Sequence, residues 1–385
     1  MSTEYKKLGQ YIRTVDIRNT DLVSMNLLGV SVKKQFITSI ANTVGTDFKK
    51  YKVVKKGQFT YIPDTSRRGD KIGIALLENY EIGIVSNIYI VFEIIDTNQL
   101  MPEYLMLWFS RPEFDRYARF KSHGSVREIF DWDEMCNVEL PVPDIEKQRK
   151  IVKAYQTITD RIALKQKIND NLATTMQAIY QEYFVDFKPF KDETTKSTKL
   201  GNIPENWNLC KLNELCELVN GRAYSQEELL NNGKYRVLRV GNFFTKSSWY
   251  YSDMELEENK YCYPDDLLFC WSASFGLYIW NDEKTIYHYH IWKADFSKTS
   301  SLYREYVYLY LKQEVERLSK EGHGSVMAHL TKNGVESLDV ISPPMAVIEK
   351  FHNLILPFIE HKKLLEKEIR QLTDLQETFL SRLAN

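Results

Sequence analysis

Several things are missing from this chain of 385 residues, and each absence removes a class of activity. The five cysteines, Cys136, Cys210, Cys216, Cys262 and Cys270, form no Cys-x-x-Cys pair. An odd count without such pairs predicts reduced thiols rather than a disulfide framework. Cys262 and Cys270 with His288 and His290 match no structural-zinc spacing, so small buried side chains are the expected role of those cysteines. No Gly-x4-Gly-Lys-Ser/Thr loop occurs, which leaves nucleotide hydrolysis unsupported. No glycine-rich loop follows a strand pattern. No apolar run is long enough to span a bilayer, and Met1-Ser-Thr-Glu-Tyr does not read as a signal peptide. A cytoplasmic protein without a membrane partner is expected. Excess charge is also lacking: the net charge is −1, so any contact with a polyanion depends on local clusters.

What is present is a repeat. His123-Gly124-Ser125-Val126 recurs 200 residues later as His323-Gly324-Ser325-Val326. Each copy precedes a proline cluster, Leu140-Pro141-Val142-Pro143 or Ile341-Ser342-Pro343-Pro344. Each cluster leads to Ile-Glu-Lys, at 145–147 and 348–350, and each Ile-Glu-Lys opens a long amphipathic run. An ordered series of matches implies two copies of one structural unit.

Residues 1–143 alternate β-branched and aromatic runs with turn residues and predict a mixed domain. Ile72–Leu77 and the run from Ile82 to Phe92 read as strands, and Tyr104–Phe109 as a helix ending near Arg111-Pro112. Over 144–187 the period becomes helical. Ile151, Tyr155, Ile158, Ile162, Leu172, Met176, Ile179 and Tyr183 form a seam interrupted by Lys165 and Asn169, and Asp144 is placed to cap its start. Residues 188–200 are polar and read as a linker. A second mixed domain is expected over 201–344, and a second long helix over 345–385, with Lys362 and Gln376 breaking its seam. The predicted fold class is α+β: two mixed domains separated by a long antiparallel two-helix coiled coil. At ~1.5 Å per residue each helix spans roughly 60 Å.

This arrangement resembles the specificity subunit of type I restriction–modification systems, across the whole chain. The similar residues are Gly124-Ser125, then Leu140-Pro141-Val142-Pro143, then Glu146-Lys147-Gln148. To these are added Tyr183-Phe184-Val185-Asp186-Phe187 and the lead-in Ile203-Pro204-Glu205-Asn206-Trp207. The chain departs from the pattern at Phe351, where the family often has Gln, at Ser342-Pro343-Pro344, and in lacking the lead-in before its first domain. The resemblance implies a non-catalytic reader of double-stranded DNA with no cofactor of its own. Each domain would read half of a split target. The expected partners are two methyltransferase subunits and restriction subunits that translocate and cleave.

Residue chemistry supplies candidate DNA contacts, because clustered cations release counterions from phosphates. In the first domain these are Lys49, Lys50, Lys55 and Lys56, and the turn Ser66-Arg67-Arg68, whose arginines have the geometry for guanine edges. In the second domain they are Arg236, Arg239 and Lys246, with Trp271 and Ser272 at the place corresponding to the Arg67 turn. His123, Ser125, His323 and Ser325 offer donors from the repeated loops. Each of these residues also fits an ordinary role, as a solvated face, a core aromatic or a structural turn.

Two other functions have partial signatures in the sequence. Ser342-Pro343-Pro344-Met345 has the outline of an amino-methyltransferase motif, but Met345 stands where an aromatic must stack on a flipped base. Asp144-Ile145-Glu146-Lys147 has the letters of a nuclease site in the wrong spacing, and a capped helical turn accounts for it. A stand-alone methyltransferase or nuclease would bind methyl donor or cut unaided. A coiled-coil scaffold would ignore DNA altogether.

Overall fold

The structure, a computed structural model, describes residues 5–23, 26–39, 45–65, 71–124, 128–244, 248–272, 275–321 and 331–383. The chain forms two compact units, one of residues 1–165 with 368–385 and the other of residues 166–367. Both long helices, Ile145–Phe184 and Met345–Arg382, contribute to both units.

The first unit is built on a four-stranded sheet in the order Ile12–Val15, Ile90–Ile94, Phe59–Tyr61, Ile74–Leu76, every pair antiparallel. Lys52–Lys55 pairs antiparallel with Ile82–Val85, and Tyr5–Lys7 with Glu139–Pro141. The run from Ile82 to Phe92, which reads as one strand in sequence, is two. Ser86-Asn87 turns the chain, with the Tyr89 amide donating to the Ser86 carbonyl at 3.1 Å. Helices Pro102–Phe109 and Pro112–Lys121 each start with proline, whose missing N–H costs nothing in a first turn. Phe59 stacks on Phe92 at 4.9 Å in the core, with Phe109 and Phe130 buried beside them.

The second unit repeats this plan. Its sheet runs Glu217–Asn220, Ile291–Asp295, Leu267–Cys270, Gly276–Ile279, again all antiparallel. Tyr261–Cys262 pairs antiparallel with Thr285–Tyr287, and Asn208–Lys211 with Asp339–Ser342. Here Tyr235–Leu238 adds parallel pairing to Thr285–Tyr287, where the first unit has a single parallel bridge, Leu27 to Ile84. One continuous helix, Arg304–Glu321, stands where Pro112 divides the first unit's helix in two. The short helices after the repeated loops are capped alike. Asp131 accepts from the Glu134 amide at 2.9 Å, and Thr331 from the Gly334 amide at 3.1 Å.

Asp144 caps the first long helix by accepting from the Lys147 amide at 2.9 Å. That helix ends where the Val185 and Asp186 amides both return to the Gln181 carbonyl and Phe187 turns left-handed at φ +50. Within each unit the two long helices pack antiparallel. In the first, Tyr155 meets Phe379 at 5.9 Å and Thr159 bonds Gln376 at 2.8 Å, while Lys165 pairs with Glu368. In the second, Asn169 accepts from Lys362 at 2.9 Å and Tyr183 meets Phe351 at 5.6 Å. The polar interruptions of the two seams therefore answer one another. Burial lowers the pKa of Lys362, yet its ammonium has Asn169 and Glu366 within reach.

Residues 188–200 are more structured than their polar composition suggests. Phe187 and Phe190 pack edge-on against the buried Trp207, at 5.5 and 4.9 Å, and Thr195–Thr198 forms a hairpin with Gly201–Pro204. Burying these rings outweighs the polarity of the intervening Lys and Thr residues.

Candidate nucleic-acid interface

In the first domain the exposed cations sit at both ends of one short strand. Lys49 and Lys50 belong to the turn Phe48–Lys50, held by Asp47 accepting from the Lys49 amide at 3.1 Å. Lys50 is 79% exposed and its ammonium stands 3.9 Å from Asp47, a weak surface pair. Lys52, only 13% exposed, is tied to Asp16 at 3.5 Å. Lys55 and Lys56 lie at the strand's far end, before Gly57 at φ +83, a conformation that favours glycine. Lys56 pairs with Glu81 at 2.6 Å on the surface, while Lys55 is exposed. The strand separates the two lysine pairs by roughly 10 Å, at ~3.3 Å per residue.

Ser66, Arg67 and Arg68 lie outside the described residues, as do Ser125, Lys246, His323 and Ser325. Ile72, which follows the Arg67 turn in sequence, is anchored. Asp115 accepts from the Ile72 amide at 3.1 Å and from Lys34 at 2.6 Å, in an ion pair whose side chains are about nine-tenths buried. Burial lowers the pKa of Lys34, against the pull of Asp115. His123 is committed to its own loop. It bridges Ile129 through the backbone, its Nδ1 lies 3.0 Å from the Lys121 carbonyl, and its Nε2 lies 3.4 Å from the capping carboxylate of Asp131.

The second domain treats its two arginines differently. Arg236 is held by Asp282 at 2.9 Å and Glu283 at 3.0 Å, lies 4.7 Å from the Trp249 ring, and is 18% exposed. Arg239 lies 4.1 Å from the Tyr250 ring and reaches the Ser248 carbonyl at 3.5 Å. Its Nε is buried and makes no hydrogen bond within the described residues. Trp271 stacks on Trp292 at 5.3 Å and donates its Nε1–H to the Tyr289 carbonyl at 3.0 Å. One ring face is thus already used. Ser272, half-buried, follows it.

Sequence reasoning missed the turn His288-Tyr289-His290. It is clamped by the His288 amide donating to Leu238 at 2.9 Å and the Tyr289 amide donating to Arg222 at 3.0 Å. Gly221 makes the clamp possible, because a Cβ there would lie 2.3 Å from the Tyr287 carbonyl. Arg222 in turn holds Glu228 in a two-pronged pair at 2.6 and 3.0 Å, which draws that carboxyl down to about 2. Burial, then His290 and Arg239, push the His288 pKa down to about 4, so its ring is neutral near pH 7. Trp271, Tyr289, His290 and His288 touch in sequence, with ring centroids 3.9–6.3 Å apart, and Tyr289 is exposed. Arginine, neutral imidazoles and a phenol together offer donors, acceptors and stacking faces to base edges. The only signal in the sequence was the His-Tyr-His alternation after a strand.

The cysteines lie apart from this chemistry. Cys262 and Cys270 are buried, and burial pushes the Cys270 thiol up to about 12 and that of Cys262 upward as well. Among the described residues no helix is long and apolar enough to cross a membrane.

Comparison with known proteins adds four findings. The model of the type I restriction modification DNA specificity domain matches twice, over residues 4–174 and 204–373. The chain is 24% identical over 303 residues to the specificity subunit of the type I restriction enzyme MjaIX of Methanocaldococcus jannaschii, covering 75% of this chain and 70% of that one. It is 28% identical over 174 residues to the HindI specificity subunit of Haemophilus influenzae, covering 44% and 37%. The solved S subunit of a type I restriction–modification system from M. genitalium aligns over 99% of this chain and 96% of its own, with a TM-score of 0.53 and 12% identity, a likeness of fold.

Proposed function

The chain belongs to the type I restriction modification DNA specificity family, and from that membership we propose how it reads its target. It is a DNA-recognition subunit with two recognition domains, and it works with methyltransferase and restriction subunits rather than as an enzyme itself. The observation that carries the reading is the doubled architecture: one family domain matched twice, with the same strand order in both copies.

Each domain reads one half of a bipartite duplex target. Lys49, Lys50, Lys55 and Lys56 take phosphates in the first half, and the Ser66-Arg67-Arg68 turn enters the groove between them. In the second half, Arg239 and the His288-Tyr289-His290 turn face base edges, supported by Trp271 and Ser272. Arg236 acts by holding Arg239's strand in place. Lys246 and the repeated loops with His123, Ser125, His323 and Ser325 supply further backbone contacts. The paired helices set the gap between half-sites, as a rigid link between two readers does. Two methyltransferase subunits dock on this scaffold, in the cytoplasm with the DNA.

Genome-wide methylation mapping in the host, with the native chain and with residues 201–344 exchanged for those of another family member, tests this. The expected result is a split motif in which the exchange alters one half and leaves the other half and the gap unchanged. A continuous motif, or both halves altered together, overturns it.

A further inference from the structure

The His288-Tyr289-His290 turn takes its position from a short loop beside it. The turn closes on itself, with the Ile291 amide donating to the His288 carbonyl at 2.9 Å. Other main-chain bonds tie it to its surroundings. The Trp271 amide donates to the His290 carbonyl at 3.2 Å. Residue 222 supplies both a donor and an acceptor. Its amide donates to the Tyr287 carbonyl and its carbonyl accepts from the Tyr289 amide, each at 3.0 Å, so Arg222 and His288 form a parallel bridge. The placement of the turn therefore follows the placement of the Arg222 backbone.

That backbone is fixed by side chains of its own loop. The two-pronged pair between Arg222 and Glu228 closes residues 222–228. The Glu228 carboxylate also accepts from the Ser225 amide at 2.9 Å, so one side chain holds the loop at two points. Tyr224 lies within the same loop. Its ring is 5.1 Å from the Arg222 guanidinium and 6.3 Å from the His288 ring, inclined to the latter by 24°. The Tyr224 hydroxyl is buried and makes no hydrogen bond among the described residues, so its ring carries the contact. Glu228 thus reaches the turn by two routes, through the Arg222 backbone and through the Tyr224 ring. Arg222 itself is poorly placed to serve as a phosphate contact, because both terminal nitrogens already face a carboxylate and the pair is neutral. Each side chain of the pair is 30% exposed, so replacing one does not strand a charge in the core.

We propose that Arg222, Glu228 and Tyr224 are positioning residues that set base discrimination in the second half-site by fixing the His288-Tyr289-His290 turn. The inference rests on the reading of that turn as a base reader. Its physical basis is that hydrogen bonds to base edges demand close placement, which a contacting loop keeps only when the residues behind it are locked. The test is genome-wide methylation mapping in the host, with variants of the full chain acting beside its own methyltransferase subunits. Arg222→Ala and Glu228→Ala should each raise methylation about tenfold at sites with one wrong base pair in the second half, the scale of one lost base contact. The first half should stay strict. The double variant should relax no further than either single one, because the two side chains act as a unit. Arg222→Lys, which keeps the charge and loses the fork, should behave as Arg222→Ala does. Tyr224→Leu should relax the same positions, and Tyr224→Phe should leave them unchanged. Arg222→Ala should also leave the salt dependence of DNA binding intact, whereas a lost phosphate contact would lower the log–log slope by about 0.9. A lower slope, a loss spread over both halves, or a second half that stays strict in these variants overturns the proposal. Tyr289→Ala and His290→Ala, run in parallel, separate the two levels. If they too leave the second half strict, the turn is not the reader and both readings fall. If they relax it while the Arg222 and Glu228 variants do not, the positioning role alone falls.

Discussion

The two recognition domains share a frame and differ in what they hang on it. Strand order, the closing strand pair, the capped short helix and the tyrosine-to-strand hydrogen bond all recur. The cations do not. The first domain carries exposed lysines, some matched by surface acids, while the second carries an arginine fixed by Asp282 and Glu283 beside one whose guanidinium lies over the Tyr250 ring. Lysine gives a hydrated point charge suited to phosphate, whereas a stacked guanidinium is oriented before any ligand arrives. Duplication preserved the burial that makes the fold and freed the surface for two separate readings.

The largest test of this contrast lies in the packing at Phe184. Phe184→Ala should cost the second unit about 3–5 kcal/mol, the range for truncating a buried phenylalanine. Leu383→Ala, half-buried in the first unit, should cost about 1 kcal/mol or less. Urea denaturation followed by fluorescence measures both, and equal losses would erase the asymmetry. Next in size are the cations. Arg239→Gln should lose ~1–3 kcal/mol of affinity for the cognate site only, with melting unchanged. Arg236→Gln should lower the melting temperature, because Asp282 and Glu283 lose their partner. Replacing Lys49, Lys50, Lys55 and Lys56 by glutamine should weaken binding to every sequence and flatten the salt dependence by about 0.9 in log–log slope per lost phosphate contact. A sequence-independent loss from Arg239→Gln would remove the distinction between the domains.

The smallest effect is in pH. The folded pKa of His288, about 4, lies below the ordinary value of 6.5. Between these values the unfolded chain binds more protons, so stability is complete above about pH 6.5 and falls as pH drops toward 4. His288→Gln should remove that component, reducing the fall in melting temperature between pH 7 and pH 5 by about 1–3 °C. An unchanged pH dependence in His288→Gln would show that His288 is solvated.

How far the sequence revealed this depends on distance along the chain. Asp144 as cap and the helix break at Pro112 are local effects, governed by hydrogen bonds within a turn, and were readable. The seam was readable by period, but not the pairing of its exceptions, since Asn169 and Lys362 lie 193 residues apart. The roles of Arg236 and Arg239 were not distinguishable, because the acids that capture Arg236 stand on a distant turn. Residues 188–200 misled by composition, as a few aromatic anchors decide the fate of a polar stretch. Trp271 was expected to offer an aromatic face to DNA, and Trp292, 21 residues on, already occupies one of its faces.

The matched exceptions in the helix pair have an evolutionary consequence. Slipping one helix by a heptad would set Lys362 against buried Met176 in place of Asn169, stranding an ammonium in an apolar groove. The pair therefore has a single index mark. Lineages that lengthen one helix must lengthen its partner by the same number of turns if Lys362 is to keep Asn169 opposite it.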